Sequence, residues 1–220
     1  MIKCCIFDLD GTLLDTLTTI TYYVNRTLER YNLMPLSEKE CKDIVGDGAA
    51  LLIERALNLR GVSDKRIIDE ALSFYKPDYD KDPIYRTTPF VGIREMLVEL
   101  KEKKIKLAVL SNKPDTAVKG IINHFFFGIF DAVAGGKPDV PLKPNPISAL
   151  DIAKEIGVNA SECAFIGDTG VDMRTGVNMG ASLKIGVAWG FRERSDIVAG
   201  GADFVAETPE ELLCEVLSNA

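Results

Sequence analysis

From Gly92 onward the chain alternates short apolar runs with amphipathic segments, and this rhythm constrains the fold more than any other feature. Runs at 105–110, 130–134, 163–167, 182–188 and 203–205 read as strands. Segments at 93–103, 115–124, 147–156, 170–179 and 209–217 carry helical spacing. Strand and helix signals in strict alternation specify a parallel sheet covered on both faces. The expected fold class is therefore α/β, a three-layer Rossmann-like parallel sheet. At 220 residues the chain can hold one substantial core and a smaller domain.

The first strand stands apart from the others. Residues 2–7 form an apolar run that stops at Asp8, and residues 16–85 carry no strand signal. Thr16 is placed to cap a helix whose apolar positions are Leu17, Ile20, Val24 and Leu28. Ser37 and Glu40 have capping-box spacing. Gly46-Asp47-Gly48 breaks the pattern, which resumes at 49–59 and 64–79. A polar, proline-containing stretch at 77–89 closes the region. The expected organisation is an α/β core of residues 1–15 and 86–220, interrupted by an all-helical cap domain at 16–85.

Ligands in open α/β sheets bind beyond the carboxyl ends of the strands, and polar residues end three of these runs: Asp8, Ser111 and Asp168. In an extended segment Asp8 and Asp10 face the same way. Two carboxylates so close repel, so the pair needs a proton, a cation or both. Gly11 lets the backbone turn and offers bare N–H groups. Each residue also has an ordinary reading. Asp-Gly and Ser111-Asn112 are common turn chemistry. Asp168 is placed to cap a helix and Asp172 to sit in its first turn. Lys143 lies just before a helix, where the dipole disfavours a cation unless an anion is close; Lys137 competes with it.

Composition narrows the chemistry. One histidine, His124, and five cysteines without Cys-x-x-Cys spacing exclude a Cys/His zinc site, so any metal is expected to be hard and oxygen-bound, which favours Mg²⁺. His124, among phenylalanines, reads as packing. A net charge of −7 argues against nucleic-acid and anionic-membrane partners. No run approaches the roughly 20 apolar residues of a membrane span, and the start lacks a signal-peptide core. A cytoplasmic protein is expected. No feature fixes an oligomeric state, and a monomer is compatible with the sequence.

Asp8-Leu9-Asp10-Gly11-Thr12 after an apolar strand resembles the first motif of the haloacid dehalogenase superfamily of phosphohydrolases. Ser111, Lys143 in Lys-Pro-Asn-Pro, and Gly167-Asp168-Thr169 with Asp172 resemble its second, third and fourth motifs, in order along nearly the whole chain. The resemblance implies that Asp8 attacks phosphorus to form an aspartyl phosphate and that Asp10 shuttles the proton. Ser111, Asn112, Gly11 and Lys143 are then expected to bind substrate. Mg²⁺ is expected on the Asp8 carboxylate, the Asp10 backbone carbonyl and Asp168, with Asp172 orienting water or the lysine. Val45-Gly46-Asp47-Gly48 and Trp189-Gly190-Phe191-Arg192 resemble phosphoglycolate-phosphatase-like members. Arg55 can grip a substrate carboxylate or pair with Glu54 or another neighbouring acid; Trp189 reads as packing.

The implied activity is a Mg²⁺-dependent phosphomonoesterase acting on a small phosphorylated metabolite. A phosphomutase of the β-phosphoglucomutase type is the alternative, with a pyrophosphatase or 5′-nucleotidase behind it. Mutase relatives carry a Ser-Arg pair where this chain has Asp47-Gly48-Ala49. A phosphonate hydrolase would need a cap-loop lysine, and none lies between Lys42 and Lys65. A dehalogenase would not need Asp10, and a receiver-type signalling module would not carry the helical insertion.

Overall fold

Residues 1–220 are described by a computed structural model. Six parallel strands form the main sheet: β1 (Cys4–Phe7), β4 (Lys106–Pro114), β5 (Ala132–Gly136), β6 (Cys163–Gly167), β7 (Leu183–Val187) and β8 (Phe204–Ala206). Their spatial order is β5-β4-β1-β6-β7-β8. Counted by order along the chain, that is 3-2-1-4-5-6, the doubly wound arrangement whose binding crevice opens where the order reverses. The reversal falls between β1 and β6. Phe7 pairs with Ile166 in register, and the Asp8 N–H donates to the Ile166 carbonyl at 2.9 Å. Asp8 and Asp168 therefore leave the sheet side by side.

Both central strands are buried along their length, which is why they read as unbroken apolar runs rather than alternating ones. One face of the sheet, including Cys4, Ile6, Ala108 and Phe165, packs against Ala149, Ile152 and Ala153 of α7 (Ile147–Ile156). Phe7, the next side chain along β1, meets Phe130 edge-on, and Phe126 meets Phe130 edge-on in turn. The remaining helices of this unit are α5 (Ile93–Glu102), α6 (Asp115–Phe125), α8 (Gly170–Met179), α9 (Arg194–Ala199) and α10 (Pro209–Ser218).

The chain divides into two units, Met1–Asp15 with Pro89–Ala220, and Thr16–Thr88. Two-residue strands β2 (Leu14–Asp15) and β3 (Thr88–Pro89) lie at the two points where the chain passes from one unit to the other. The second passage falls three residues later than residue 85, where the sequence had placed it. Residues 85–87 pack with the helices: the Thr19 hydroxyl donates to the Tyr85 carbonyl and lies 2.8 Å from Thr87 Oγ1.

The second unit holds α1 (Leu17–Glu29), α2 (Glu38–Ile44), α3 (Ala49–Asn58) and α4 (Lys65–Lys81). The capping box at Ser37 and Glu40 forms as expected. Thr16 occupies the cap position of α1, but its buried hydroxyl makes no capping bond, and the helix is anchored by its buried face, which includes the expected apolar positions Ile20, Val24 and Leu28. Pro77 lies inside α4 instead of closing it.

Three other details depart from the sequence reading. Residues 111–114, expected as a turn, extend β4, with a register shift against β5 between Leu110 and Pro114. Helix α9 carried no signal because it is six residues long and buries only Ile197. A 3₁₀ turn at Ala160–Glu162 precedes β6.

Candidate active site

Asp8 follows β1, Asp168 follows β6, and Asp172 sits one turn into α8. All three are buried, and one carboxylate oxygen of each lies within 4.8 Å of the others. The α8 capping box explains the placement of Asp172. Its Oδ2 accepts from the Thr169 N–H at 3.1 Å and the Thr169 hydroxyl at 2.7 Å, while Thr169 Oγ1 accepts from the Asp172 N–H. The other oxygen, Oδ1, accepts from Lys143 Nζ at 2.7 Å.

Lys143 is the counter-charge. Its side chain is buried, and Nζ also stands 2.7 Å from Asp8 Oδ1. Three carboxylates around one ammonium leave negative charge in excess. Burial drives the Asp8 pKa well above the usual carboxylate range; Asp172 and Asp168 push the same way and Lys143 opposes them. Asp168 is raised to about 7, first by burial and then by Asp172, against the donors that hold it. For Lys143, burial works against the charged form, but Asp172 and Asp8 overcome it and hold the ammonium above the ordinary lysine value.

Asp168 is fixed from two directions. Thr12 Oγ1 donates to its Oδ1 at 3.0 Å, and the Phe191 N–H donates to its Oδ2 at 2.7 Å. The segment after β7 thus holds an acid of the site, and the sequence reading missed it. Trp189, read as packing, rests against Phe90 but also donates its indole N–H to the Thr12 carbonyl at 3.0 Å. Gly190 fits because it has no Cβ; one added there would overlap the Asp168 side chain and crowd the Gly11 carbonyl. The available signal was another apolar run ending in Trp-Gly, the fourth strand end to meet the same crevice.

Two residues expected at the substrate have partners within the protein. Gly11 was expected to turn the backbone and bring bare N–H groups to the site; its own N–H donates to the Leu14 carbonyl at 2.9 Å. Its contribution is a φ of +81° and a missing side chain, since Asp168 fills the space a Cβ would take. Asn112 was assigned to substrate, but its amide straddles the Lys143 backbone. Oδ1 accepts from the Lys143 N–H at 2.9 Å, and Nδ2 donates to its carbonyl at 3.3 Å. Asn112 therefore fixes the loop that carries the lysine.

Ser111 is buried, and its Oγ accepts from the Lys113 N–H at 3.2 Å, which leaves the hydroxyl proton to be donated elsewhere. Asp10 Oδ1 receives Lys113 Nζ at 2.6 Å. Lys137, the competitor of Lys143, is exposed. In the helical unit, Arg55 Nη1 donates to Asp47 Oδ2 at 2.6 Å and to the Ile44 carbonyl at 3.0 Å, so the neighbouring acid it meets is Asp47 rather than Glu54.

The donor set suits a hard divalent cation: carboxylate oxygens only, an excess of negative charge, and a buried Asp8 Oδ1 without a well-formed hydrogen bond. The hydrogen bonds already made by Asp168 do not prevent this, because each carboxylate oxygen has a second lone pair.

The family model for haloacid dehalogenase-like hydrolases matches residues 5–185. A phosphoglycolate phosphatase of Rhodospirillum rubrum is 30% identical over 210 residues, covering 92% of this chain and 86% of its own. The crystal structure of a candidate phosphoglycolate phosphatase from Lactobacillus delbrueckii subsp. bulgaricus superposes with a TM-score of 0.92 at 30% identity, covering 97% of this chain and 98% of its own. A candidate β-phosphoglucomutase from Bacteroides vulgatus shares the fold at 23% identity and a TM-score of 0.77, covering 99% of this chain and 89% of its own.

Proposed function

The chain belongs to the haloacid dehalogenase-like hydrolases and is a phosphatase, and from that premise we propose that it is a Mg²⁺-dependent phosphomonoesterase of the phosphoglycolate phosphatase kind, with Asp8 as nucleophile. The observation that carries this reading is the convergence of Asp8, Asp168 and Asp172 within 4.8 Å, with Lys143 placed 2.7 Å from both Asp8 and Asp172.

The Asp8 carboxylate, the Asp10 backbone carbonyl and Asp168 would hold Mg²⁺. When bound, it supplies the positive charge that lets a carboxylate approach a phosphate dianion. Lys143 adds a second positive charge beside the nucleophile, and Asp172 aims it. Ser111 donates its hydroxyl proton to a phosphoryl oxygen.

An Asp8 oxygen attacks phosphorus, and the bond to the leaving oxygen breaks with its electron pair. Asp10 gives that oxygen a proton. Water then attacks the phosphorus of the aspartyl phosphate and loses a proton to Asp10. The Asp8–phosphorus linkage breaks, releasing inorganic phosphate and restoring both carboxyl groups.

A panel of small phosphorylated metabolites assayed with and without Mg²⁺ tests the proposal. Mg²⁺-dependent phosphate release is expected, with the highest kcat/KM on a short phosphorylated carboxylic acid. Isomerisation of a sugar phosphate without phosphate release would overturn the reading in favour of a mutase.

Metal binding has its own readout. At a Mg²⁺ concentration about 100 times Kd, linkage supplies about 2.7 kcal/mol. For a chain of this size that raises Tm by about 5–10 °C. Asp168→Asn is expected to abolish the shift, and an undiminished shift in that variant would remove Asp168 from the ligand set.

Gly190→Ala is expected to lower kcat by about 10²-fold, since a displacement near 1 Å in a reacting group has that effect. Retained far-UV circular dichroism would separate this loss from unfolding, and unchanged kcat would show that Asp168 tolerates the added methyl.

A further inference from the structure

Lys113 takes no part in the chemistry described so far, yet its side chain reaches Asp10 across 103 positions of sequence. Nζ lies 2.6 Å from Asp10 Oδ1, with only 8% of the lysine side chain and 16% of the aspartate side chain exposed. Surface ion pairs are loose and contribute little. A pair this enclosed restricts the rotamer of both partners. The backbone of the same residue donates its N–H to Ser111 Oγ at 3.2 Å. One residue therefore ties the group assigned to carry the proton to the group assigned to bind the phosphoryl oxygen.

The segment bearing Lys113 is itself held firmly. It lies where β4 slips register against β5, and such bulges re-aim side chains at the ends of strands. Gly135 of β5 presses against it, so that a Cβ there would stand 2.6 Å from the Lys113 carbonyl oxygen. The Gly135 N–H is fastened in turn to Asp115 Oδ1 at 2.9 Å.

From this geometry we infer that Lys113 is a positioning residue: it fixes the Asp10 side chain at the distance and angle from which its proton reaches the departing oxygen. The inference rests on the role proposed for Asp10 above. In the step concerned, the phosphorus–oxygen bond breaks, its electron pair stays on the leaving oxygen, and the Asp10 carboxyl proton moves to that oxygen. A misaimed Asp10 slows this step in proportion to how much the leaving group needs a proton. An alkoxide needs one badly. The stabilised phenolate from p-nitrophenyl phosphate hardly needs one.

The test compares a short alkyl phosphate with p-nitrophenyl phosphate in wild type, Lys113→Ala, Asp10→Asn and the double variant. Lys113→Ala is expected to lower kcat/KM on the alkyl phosphate by about 10²-fold, the lower range for a general acid. On p-nitrophenyl phosphate the loss in kcat/KM should stay within about threefold, because kcat/KM runs only to formation of the aspartyl phosphate and leaves out its later hydrolysis. Asp10→Asn should show the same selectivity, more strongly. In the double variant, adding Lys113→Ala to Asp10→Asn should cost nothing further, because residues acting through one another are not additive.

Equal losses on both substrates for Lys113→Ala, while Asp10→Asn remains selective, would overturn the inference and leave the role of Asp10 standing. Absence of selectivity in Asp10→Asn itself would overturn the underlying reading, and this inference with it. If Lys113→Ala does not fold, Lys113→Met keeps the packing of the stem and is judged by the same comparison.

Discussion

Asp8→Asn is expected to yield a folded protein that releases phosphate at least about 10⁴-fold more slowly than wild type. The amide keeps the shape of the carboxylate but not its nucleophilic charge, and no neighbouring group can replace it. Losses of this order accompany removal of a covalent nucleophile. Stability should move the other way. Asp8 lies among like charges in a buried site, where the charged form is penalised, so the neutral side chain relieves desolvation and repulsion together. The Lys143 ammonium keeps Asp172 as a partner at 2.7 Å. Steady-state phosphate release and thermal unfolding, measured on the same preparation, check both halves. Appreciable turnover in the variant would remove Asp8 from its role, and a large fall in Tm would contradict the electrostatic account.

Lys143→Ala is expected to damage activity and stability together. It deletes the ammonium that stands 2.7 Å from each of two buried carboxylates. Breaking a buried pair by removing one partner costs about 3–5 kcal/mol, because the other charge stays behind without compensation. Activity should fall by at least about 10³-fold, since the positive charge beside the nucleophile is lost. Lys137→Ala supplies the control. That side chain is exposed, so its loss should change stability by no more than about 0.5 kcal/mol and leave kcat/KM near wild type. Chemical denaturation and kcat/KM on the preferred substrate measure the contrast. If Lys137 proved the more costly residue, the third motif would belong to Gly-Lys-Pro and not to Leu-Lys-Pro-Asn-Pro.

The ends of the strands were the most legible feature of the sequence. Asp8 and Asp168 each follow an apolar run that is buried along its whole length, and burial on both faces leaves a strong local trace. The capping box of α2 was equally readable, because it depends on two residues three positions apart. Contacts made at a distance left no such trace. Nothing near Lys113 announces Asp10, and nothing near Phe191 announces that its N–H will hold Asp168.

Asn112 and Gly11 show a different limit of sequence reading. Both were recognised as belonging to the site, but their local chemistry does not reveal which partner wins. The Asn112 amide goes to the Lys143 backbone and the Gly11 N–H to the Leu14 carbonyl. Thr16 is the reverse case. The residue type and position were right for a cap, and the backbone at φ −113° and ψ 1° does not bring the hydroxyl to a helix N–H.

The position of β1 has a consequence for how the protein is made. Its partners, residues 106–109 and 163–166, emerge from the ribosome long after it does. The helices of Thr16–Thr88 form one contiguous stretch and can assemble from local contacts during that interval, while the first strand waits without neighbours. High contact order of this kind slows folding. A chain interrupted before residue 163 would carry Asp8 and lack Asp168 and Asp172, so the acidic cluster cannot assemble until residue 172 has been made.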